Sequence, residues 1–301
     1  MGTRLLLFFL MMLPTAPQAA GTPHVVVTLK PIHSLVAGVM QGVATPWLLL
    51  EGGQSPHRYN LKPSDARALH HADFIVWVGP EMEGFLIRPL GGIKTRRLTL
   101  LDVPGMHVLP ARRLSHLHTH PAEAHAPVGR RDGHIWLDPR NAAVIVDAVA
   151  TQLARMDPTH ATRYRTNAAR LASRIEALDH DIEIRTTPLR GRPFVIFHDA
   201  FHYFENRYGL HPTAILTIAP DRRPGARRVR EIRRLIHRRK VRCVFAEPQF
   251  RSHIVDILAE GSAARIGVLD PLGADLRTGP EAWFKLLDNI TTQMEKCLGD
   301  P

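Results

Sequence analysis

Thiols are scarce: Cys243 and Cys297 are the two cysteines of a 301-residue chain, and no Cys-x-x-Cys spacing occurs. A thiol-based metal or redox motif is thereby excluded. No His-Glu-x-x-His sequence is present either, which removes the helical zinc-protease signature. After the first twenty residues, no apolar run approaches the roughly 20 residues that cross a bilayer. Acidic side chains fall short of basic ones, 28 against 39, leaving a formal charge of +11. Such a balance invites a nucleic-acid partner. The excess lies, however, in Arg-rich stretches such as 222–242, where aromatic residues for base stacking are missing. A solvated basic face fits that pattern, and no nucleic acid is expected.

What is present is the composition of a folded soluble protein, 45% hydrophobic and 22% charged, with length enough for two lobes. Residues 1–21 differ in kind. Arg4 precedes the apolar run from Leu5 to Leu13, and Pro14, Pro17, Ala19, Ala20 and Gly21 follow. A charged start, a short hydrophobic centre and a small-residue exit predict a signal peptide and export. No cysteine lies near the exit for a lipid anchor. In an exported chain the oxidising compartment favours pairing Cys243 with Cys297, which stabilises by roughly 4 kcal/mol in the chain-entropy picture. In a cytosolic chain the same two residues would be small buried hydrophobes.

Strand-like and helix-like runs alternate from His24 to Leu101. Apolar strands are expected at His24–Leu29, Trp47–Leu50, Phe74–Val78 and Leu98–Leu101, with helices at Pro31–Gly42 and Pro63–His71. Between Val103 and Gly133 the pattern dissolves into a loop holding Pro104, Pro110, Pro121, Pro127 and a run of histidines. A structureless stretch of that length inside a compact domain is a functional or disordered insert. Helical patterns follow over Asn141–Met156 and from Asp157-Pro158 to about Ile184. The second is long enough, at roughly 40 Å, to cross a whole protein. Beyond Pro188, strands at Pro193–Phe197, Pro212–Thr217, Val241–Ala246 and Arg265–Leu269 alternate with helices at Asp199–Tyr208, Ala226–His237, Ser252–Glu260 and Glu281–Leu298.

The expected fold is α/β: two (β/α)4-type lobes with parallel sheets, joined by a long rigid helix. The expected divisions are a signal peptide at 1–21, an N-terminal lobe at 22–140 with its histidine loop at 103–133, connecting helices at 141–187, and a C-terminal lobe at 188–301.

Four metal-capable side chains stand beside apolar strands. His57 sits in Gly52-Gly53-Gln54-Ser55-Pro56-His57-Arg58-Tyr59, just past the second strand, and His134 opens His134-Ile135-Trp136-Leu137-Asp138-Pro139. His198 ends Phe194-Val195-Ile196-Phe197-His198, and Asp270 ends Gly267-Val268-Leu269-Asp270. In open α/β sheets ligands bind beyond the carboxyl ends of the strands, so two donors from each lobe would meet in the cleft between lobes. Three imidazoles with one oxygen make a tetrahedral zinc set, whereas carboxylate-dominated sets suit manganese or magnesium. Taken singly, a histidine is more often a surface or satisfied core residue than a ligand; the signal is the recurrence of three at equivalent strand ends. His107, His116, His118, His120 and His125 make the loop a second, loose and unselective binder of divalent metal.

At this point the residues match a known pattern. Gly53-Gln54-Ser55-Pro56-His57-Arg58-Tyr59, Leu61-Lys62-Pro63-Ser64-Asp65-Ala66, His134-Ile135-Trp136-Leu137-Asp138-Pro139, Phe197-His198-Asp199-Ala200-Phe201 and Glu247-Pro248-Gln249-Phe250 resemble the zinc-receptor branch of the metal-binding solute-binding proteins of ABC importers. The resemblance covers nearly the whole mature chain. It implies a periplasmic, non-enzymatic monomer that carries Zn²⁺ as transported cargo and partners a membrane permease and its ATPase. By position, His57, His134 and His198 fall on the three histidine ligands of zinc members; manganese members carry glutamate where this chain has His198. The fourth ligand is Asp270 in some relatives and a water or an acidic neighbour of the first histidine in others. Here that neighbour is Pro56, which leaves Asp270 or solvent. The cysteine positions coincide with a disulfide of some zinc receptors, and the histidine loop resembles the family's mobile loop. Competing readings are a receptor of the same build for manganese or another divalent ion, an adhesin or zinc buffer without a transporter, and a zinc-dependent hydrolase with Glu247 as its base.

Overall fold

A computed structural model of the chain describes residues 21–51, 53–112, 130–218, 224–250 and 253–300. The predicted signal peptide and His116, His118, His120 and His125 lie outside the described residues. In chain order the first half contributes β1 (Val25–Val27), α1 (Lys30–Val39), β2 (Trp47–Leu48), α2 (Pro63–His71), β3 (Phe74–Trp77), α3 (Ile87–Gly91) and β4 (Arg96–Thr99). α4 (Pro139–Met156) and α5 (Ala161–Thr186) follow. The second half contributes β5 (Phe194–His198), α6 (His202–Tyr208), β6 (Ala214–Thr217), α7 (Ala226–Arg238), β7 (Cys243–Ala246), α8 (His253–Ala259), β8 (Arg265–Val268) and α9 (Ala282–Leu298).

The strands form two parallel sheets of four, ordered β2-β1-β3-β4 and β6-β5-β7-β8. The two halves therefore repeat one topology, and in each the order reverses at the first strand, which opens a crevice at its carboxyl end. Val25-Val26-Val27 and Phe74-Ile75-Val76 are buried without interruption. Continuous apolar runs of this kind belong to a parallel sheet covered on both faces. α2 begins where Pro63 supplies a preset φ and Asp65 accepts a hydrogen bond from the Lys62 amide at 2.8 Å.

One helix fastens the halves together. Near its start, α5 directs Asn167 Nδ2 to the carbonyls of Val39 and Gln41 at 2.9 and 2.8 Å. Near its end, Arg185 pairs with Asp288 at 2.7 Å and Glu295 at 2.6 Å on α9. With 26 residues, α5 spans about 39 Å at 1.5 Å per residue, so it ties both lobes to one stiff rod. α1 packs against it closely because Gly38 has no side chain: a Cβ there would meet Leu171 Cδ1 at 2.8 Å. Side chains of both halves share one continuous apolar core. Cys243 on β7 and Cys297 on α9 form a disulfide, their Cα atoms 5.9 Å apart.

Two departures from the sequence reading have local causes. β4 is Arg96–Thr99, two residues earlier than the apolar run suggests, because this edge strand exposes Arg96 and Arg97 while Leu100 and Leu101 turn inward in a short 3₁₀ segment. α6 starts at His202, not at Asp199, because Asp199 sits in the turn after β5 with its carboxylate held by Arg112.

Candidate metal centre

His57, His134 and His198 converge. Each offers a ring nitrogen, and these three atoms lie within 4.8 Å of one another. The ring centroids are 5.7 Å apart for His57 and His134, 5.4 Å for His57 and His198, and 5.2 Å for His134 and His198. Tetrahedral bonds of 2.0–2.1 Å place donor atoms roughly 3.3 Å apart, so modest side-chain rotation suffices to unite the three on one ion.

Each imidazole arrives from a different element. His198 is the last residue of β5, paired in register with Thr217 of β6. His134 precedes the 3₁₀ turn Ile135–Leu137. That turn is pinned because Trp136 Nε1 donates to the Pro271 carbonyl and Trp283 Nε1 to the Trp136 carbonyl, both at 2.8 Å. Asp138 then caps α4 by accepting from the Arg140 amide at 2.9 Å. His57 rides on the loop after β2, which crosses to the opposite lobe at Gly53. There φ is +70°, and a Cβ would stand 2.4 Å from that of Ala274. Only glycine permits both the left-handed backbone and the approach.

Two carboxylates stand behind the ring. Asp132 Oδ1 lies 2.8 Å from His134 Nδ1, and Glu247 Oε2 lies 3.4 Å from His198 Nδ1. With Nδ1 engaged, Nε2 is the nitrogen left for an ion on each ring, the arrangement carboxylate–histidine–zinc sites use to fix tautomer and orientation. Burial works against the charge of Asp132, but His134, His202 and the His134 amide outweigh it and hold the acid below the usual carboxylate range. His57 is pushed well below the ordinary histidine pKa by burial, reinforced by His198 and His134, so it stays neutral as a ligand must. At His198 burial is the largest influence and lowers the pKa; Glu247, Asp199 and Asp132 overcome it and raise the net value.

The ring faces two environments. On one side lies an open cleft of about 570 Å³ lined by Tyr59, Met82, Arg130 and Asp199 among others. Behind it, Trp136, Phe250, Pro271 and Leu272 close the floor. An ion held here would meet packed apolar groups beneath and solvent above.

Asp270 does not join the three histidines. Its Oδ1 accepts from the Leu272 amide at 2.9 Å and from the Gln249 side-chain amide, and its Oδ2 accepts from the Ala274 amide. The loop beyond β8 needs those acceptors, and Lys30 clamps the same loop from the other lobe through the carbonyls of Gly273, Ala274 and Leu276 at 2.9, 2.7 and 3.1 Å. The carboxylate is a turn-former in this geometry, which corrects the expectation that it faces the cleft. His107 is likewise not a loose loop ligand. Its ring lies 3.4 Å from Asp138 Oδ2, and its amide donates to Asn141 at 2.8 Å.

Sequence reasoning missed Asp132 as a partner of His134, although a carboxylate two residues before a candidate ligand was a usable signal. Replacing Asp132 with alanine is expected to weaken zinc binding about 10- to 100-fold, with a smaller loss for Asp132→Asn, which keeps an acceptor. Competition against a chromogenic chelator measures both, and unchanged affinity in the alanine variant removes the orienting role.

Two lobes of one topology, a stiff connecting helix and imidazoles drawn from both sides of the cleft define a metal receptor of the bilobed binding-protein class. Comparison with known proteins narrows this. The family described as "ZnuA: Zinc-uptake complex component A periplasmic" matches residues 25–297, and the chain belongs to that family. It is 38% identical over 309 residues to the high-affinity zinc uptake system protein ZnuA of Brucella abortus, covering 91% of each chain. Among solved structures it resembles a crystal structure of ZnuA, with TM-score 0.78, 22% identity and coverage of 92% and 100%. The binding protein FpvC of Pseudomonas aeruginosa in complex with Mn²⁺ is also similar, with TM-score 0.78, 20% identity and coverage of 92% and 98%.

Proposed function

We propose that the protein captures Zn²⁺ between its lobes and hands it to the membrane permease and ATPase of an ABC-type importer. One observation carries the reading: three histidines distant in sequence bring ring nitrogens within 4.8 Å at the seam of the lobes. Three imidazoles suit zinc better than manganese, which favours carboxylate oxygens. Membership of the zinc-uptake family supports the same choice. In this reading His57, His134 and His198 bind the ion and a water from the open cleft completes the tetrahedron. Residues 1–21 direct export to the periplasm and are removed; the lobes are 22–140 and 188–301, with 141–187 connecting them; and the monomer turns over no substrate. The segment carrying His116, His118, His120 and His125 would raise the local zinc concentration.

The test is a titration of metal-free protein with zinc, and with manganese as competitor. One tight zinc per chain, undisturbed by equimolar manganese, is expected; equal displacement by manganese would make this a receptor for another ion. Acidity adds a second expectation. A proton competes with the metal for each imidazole, and His198, where the carboxylate of Glu247 outweighs burial and raises the pKa, takes one more readily than His57, which burial holds well below the ordinary value. Affinity should therefore be greatest in mildly alkaline solution and fall roughly tenfold per pH unit once His198 protonates. A flat profile down to about pH 5 would exclude these imidazoles as the donors.

A further inference from the structure

The basic excess of the chain is concentrated on one helix and its continuation. Residues 226–242 contain nine Lys and Arg against a single acid, Glu231, in a chain whose formal charge is +11. α7 buries Ile232 and Ile236, with Val229 and Leu235 packed beside them, against the core of the second lobe. On the opposite face Arg227, Arg230, Arg234 and Arg238 are exposed at the three- and four-residue spacing that aligns side chains along a helix, and Arg239 and Lys240 extend the row.

Counter-ions are few. Arg227 pairs with Glu231 at 3.1 Å and Arg233 with Glu260 at 3.2 Å. Arg230, Arg234, Arg238, Arg239 and Lys240 make no ion pair among the described residues. Like charges crowded on one face repel one another, and propensity does not demand it, since glutamate and glutamine favour helix as well as arginine does. A partner bearing negative charge relieves the repulsion.

The chemistry selects the partner. No aromatic side chain occurs in 224–242 to stack a nucleobase, which leaves backbone-like phosphate as the matching group without base recognition. The apolar face of α7 is already buried in the lobe, so it offers nothing to insert between acyl chains. An exposed basic row with no insertion face fits the surface of an anionic bilayer, where each Lys or Arg near the headgroups strengthens attachment about fivefold. We propose that the exposed basic face of α7 docks the protein reversibly on an anionic phospholipid surface. Attachment of this kind holds a receptor in the layer next to the membrane, and it is independent of the metal centre.

The test uses the exported protein and sedimentation with two kinds of vesicle, phosphatidylcholine alone and phosphatidylcholine mixed with phosphatidylglycerol. Binding to the mixed vesicles at low salt is expected, with none to the neutral ones and release at high salt, where screening shortens the reach of each charge. The triple change Arg230→Gln, Arg234→Gln and Arg238→Gln should weaken attachment about a hundredfold, and Arg234→Gln alone about fivefold. A control triple at exposed arginines on the connecting helices, Arg155→Gln, Arg163→Gln and Arg165→Gln, alters net charge equally and should leave attachment intact. Zinc affinity, measured on the same preparations, should be that of the unaltered protein in every variant. Failure of the unaltered protein to bind mixed vesicles, equal binding to neutral ones, or an equal loss in the two triples each overturns the proposal, whatever the metal centre does.

Discussion

Replacing His198 with alanine lowers the zinc association constant by about 10²–10³-fold, while replacing Asp270 leaves it near that of the unaltered protein. Four-donor protein zinc sites bind with ~10–16 kcal/mol, so one donor of four accounts for roughly 2.5–4 kcal/mol, or about two to three decades. His198 has the strongest claim to that share: it sits at the end of β5, nine-tenths enclosed or more, with Glu247 behind it to fix its free nitrogen outward. Asp270 has no such claim, because both of its oxygens are occupied by amides of Leu272, Ala274 and Gln249. Asp270→Ala should instead lower the melting temperature, since three donors lose their acceptor and the loop that Lys30 clamps loses its shape. Calorimetric titration and thermal melting of the two variants separate the roles. A thousandfold affinity loss in Asp270→Ala with none in His198→Ala would reverse the assignment.

That contrast marks what the sequence could disclose. All eight strands stand within two residues of the apolar runs that predict them, because runs such as Val25-Val26-Val27 are buried on both faces and need no partner to be recognised. α2 matches at both ends, from Pro63 to His71, because its start is written in the chain as a proline and an acid placed to reach back. The three histidines were readable for a related reason: each stands at a strand end or a turn, where α/β sheets present ligands. Asp270 stood at a strand end too. What removed it was the demand of backbone amides in its own loop, which appears only when the turn is built.

α3 and the 3₁₀ segment before it were invisible because five or so residues carry too little periodicity to stand out, and packing, not propensity, holds them. The orienting acids were harder still. Asp132 is close to His134 in sequence, but Glu247 meets His198 across 49 residues and no local pattern records that encounter.

The least legible contact carries the second large effect. Arg112, at the edge of the cleft, reaches Asp199 at 2.9 Å and Glu205 at 2.6 Å, both buried. Removing one member of a buried ion pair leaves its partners desolvated without compensation, which costs about 3–5 kcal/mol. Arg112→Ala should therefore lower stability by about that amount where both acids are ionised, above about pH 8.

The pH dependence of the loss is a sharper check. Burial pushes Glu205 up to about 8, with Arg112 opposing that rise and Asp199 adding to it. Asp199 is likewise raised, by burial first, with Arg112 again the opposing influence. A raised acid favours the folded state while protonated, so its contribution is complete below the unfolded value of 4.5 and disappears as pH climbs through 8. Without Arg112 both acids rise further, and the variant must bind protons that the unaltered protein does not. Its deficit should thus be smallest in mild acid and largest above about pH 8. Chemical denaturation of both proteins across that range measures it. A deficit independent of pH would mean that Arg112 acts through packing of its stem, and not through the two carboxylates.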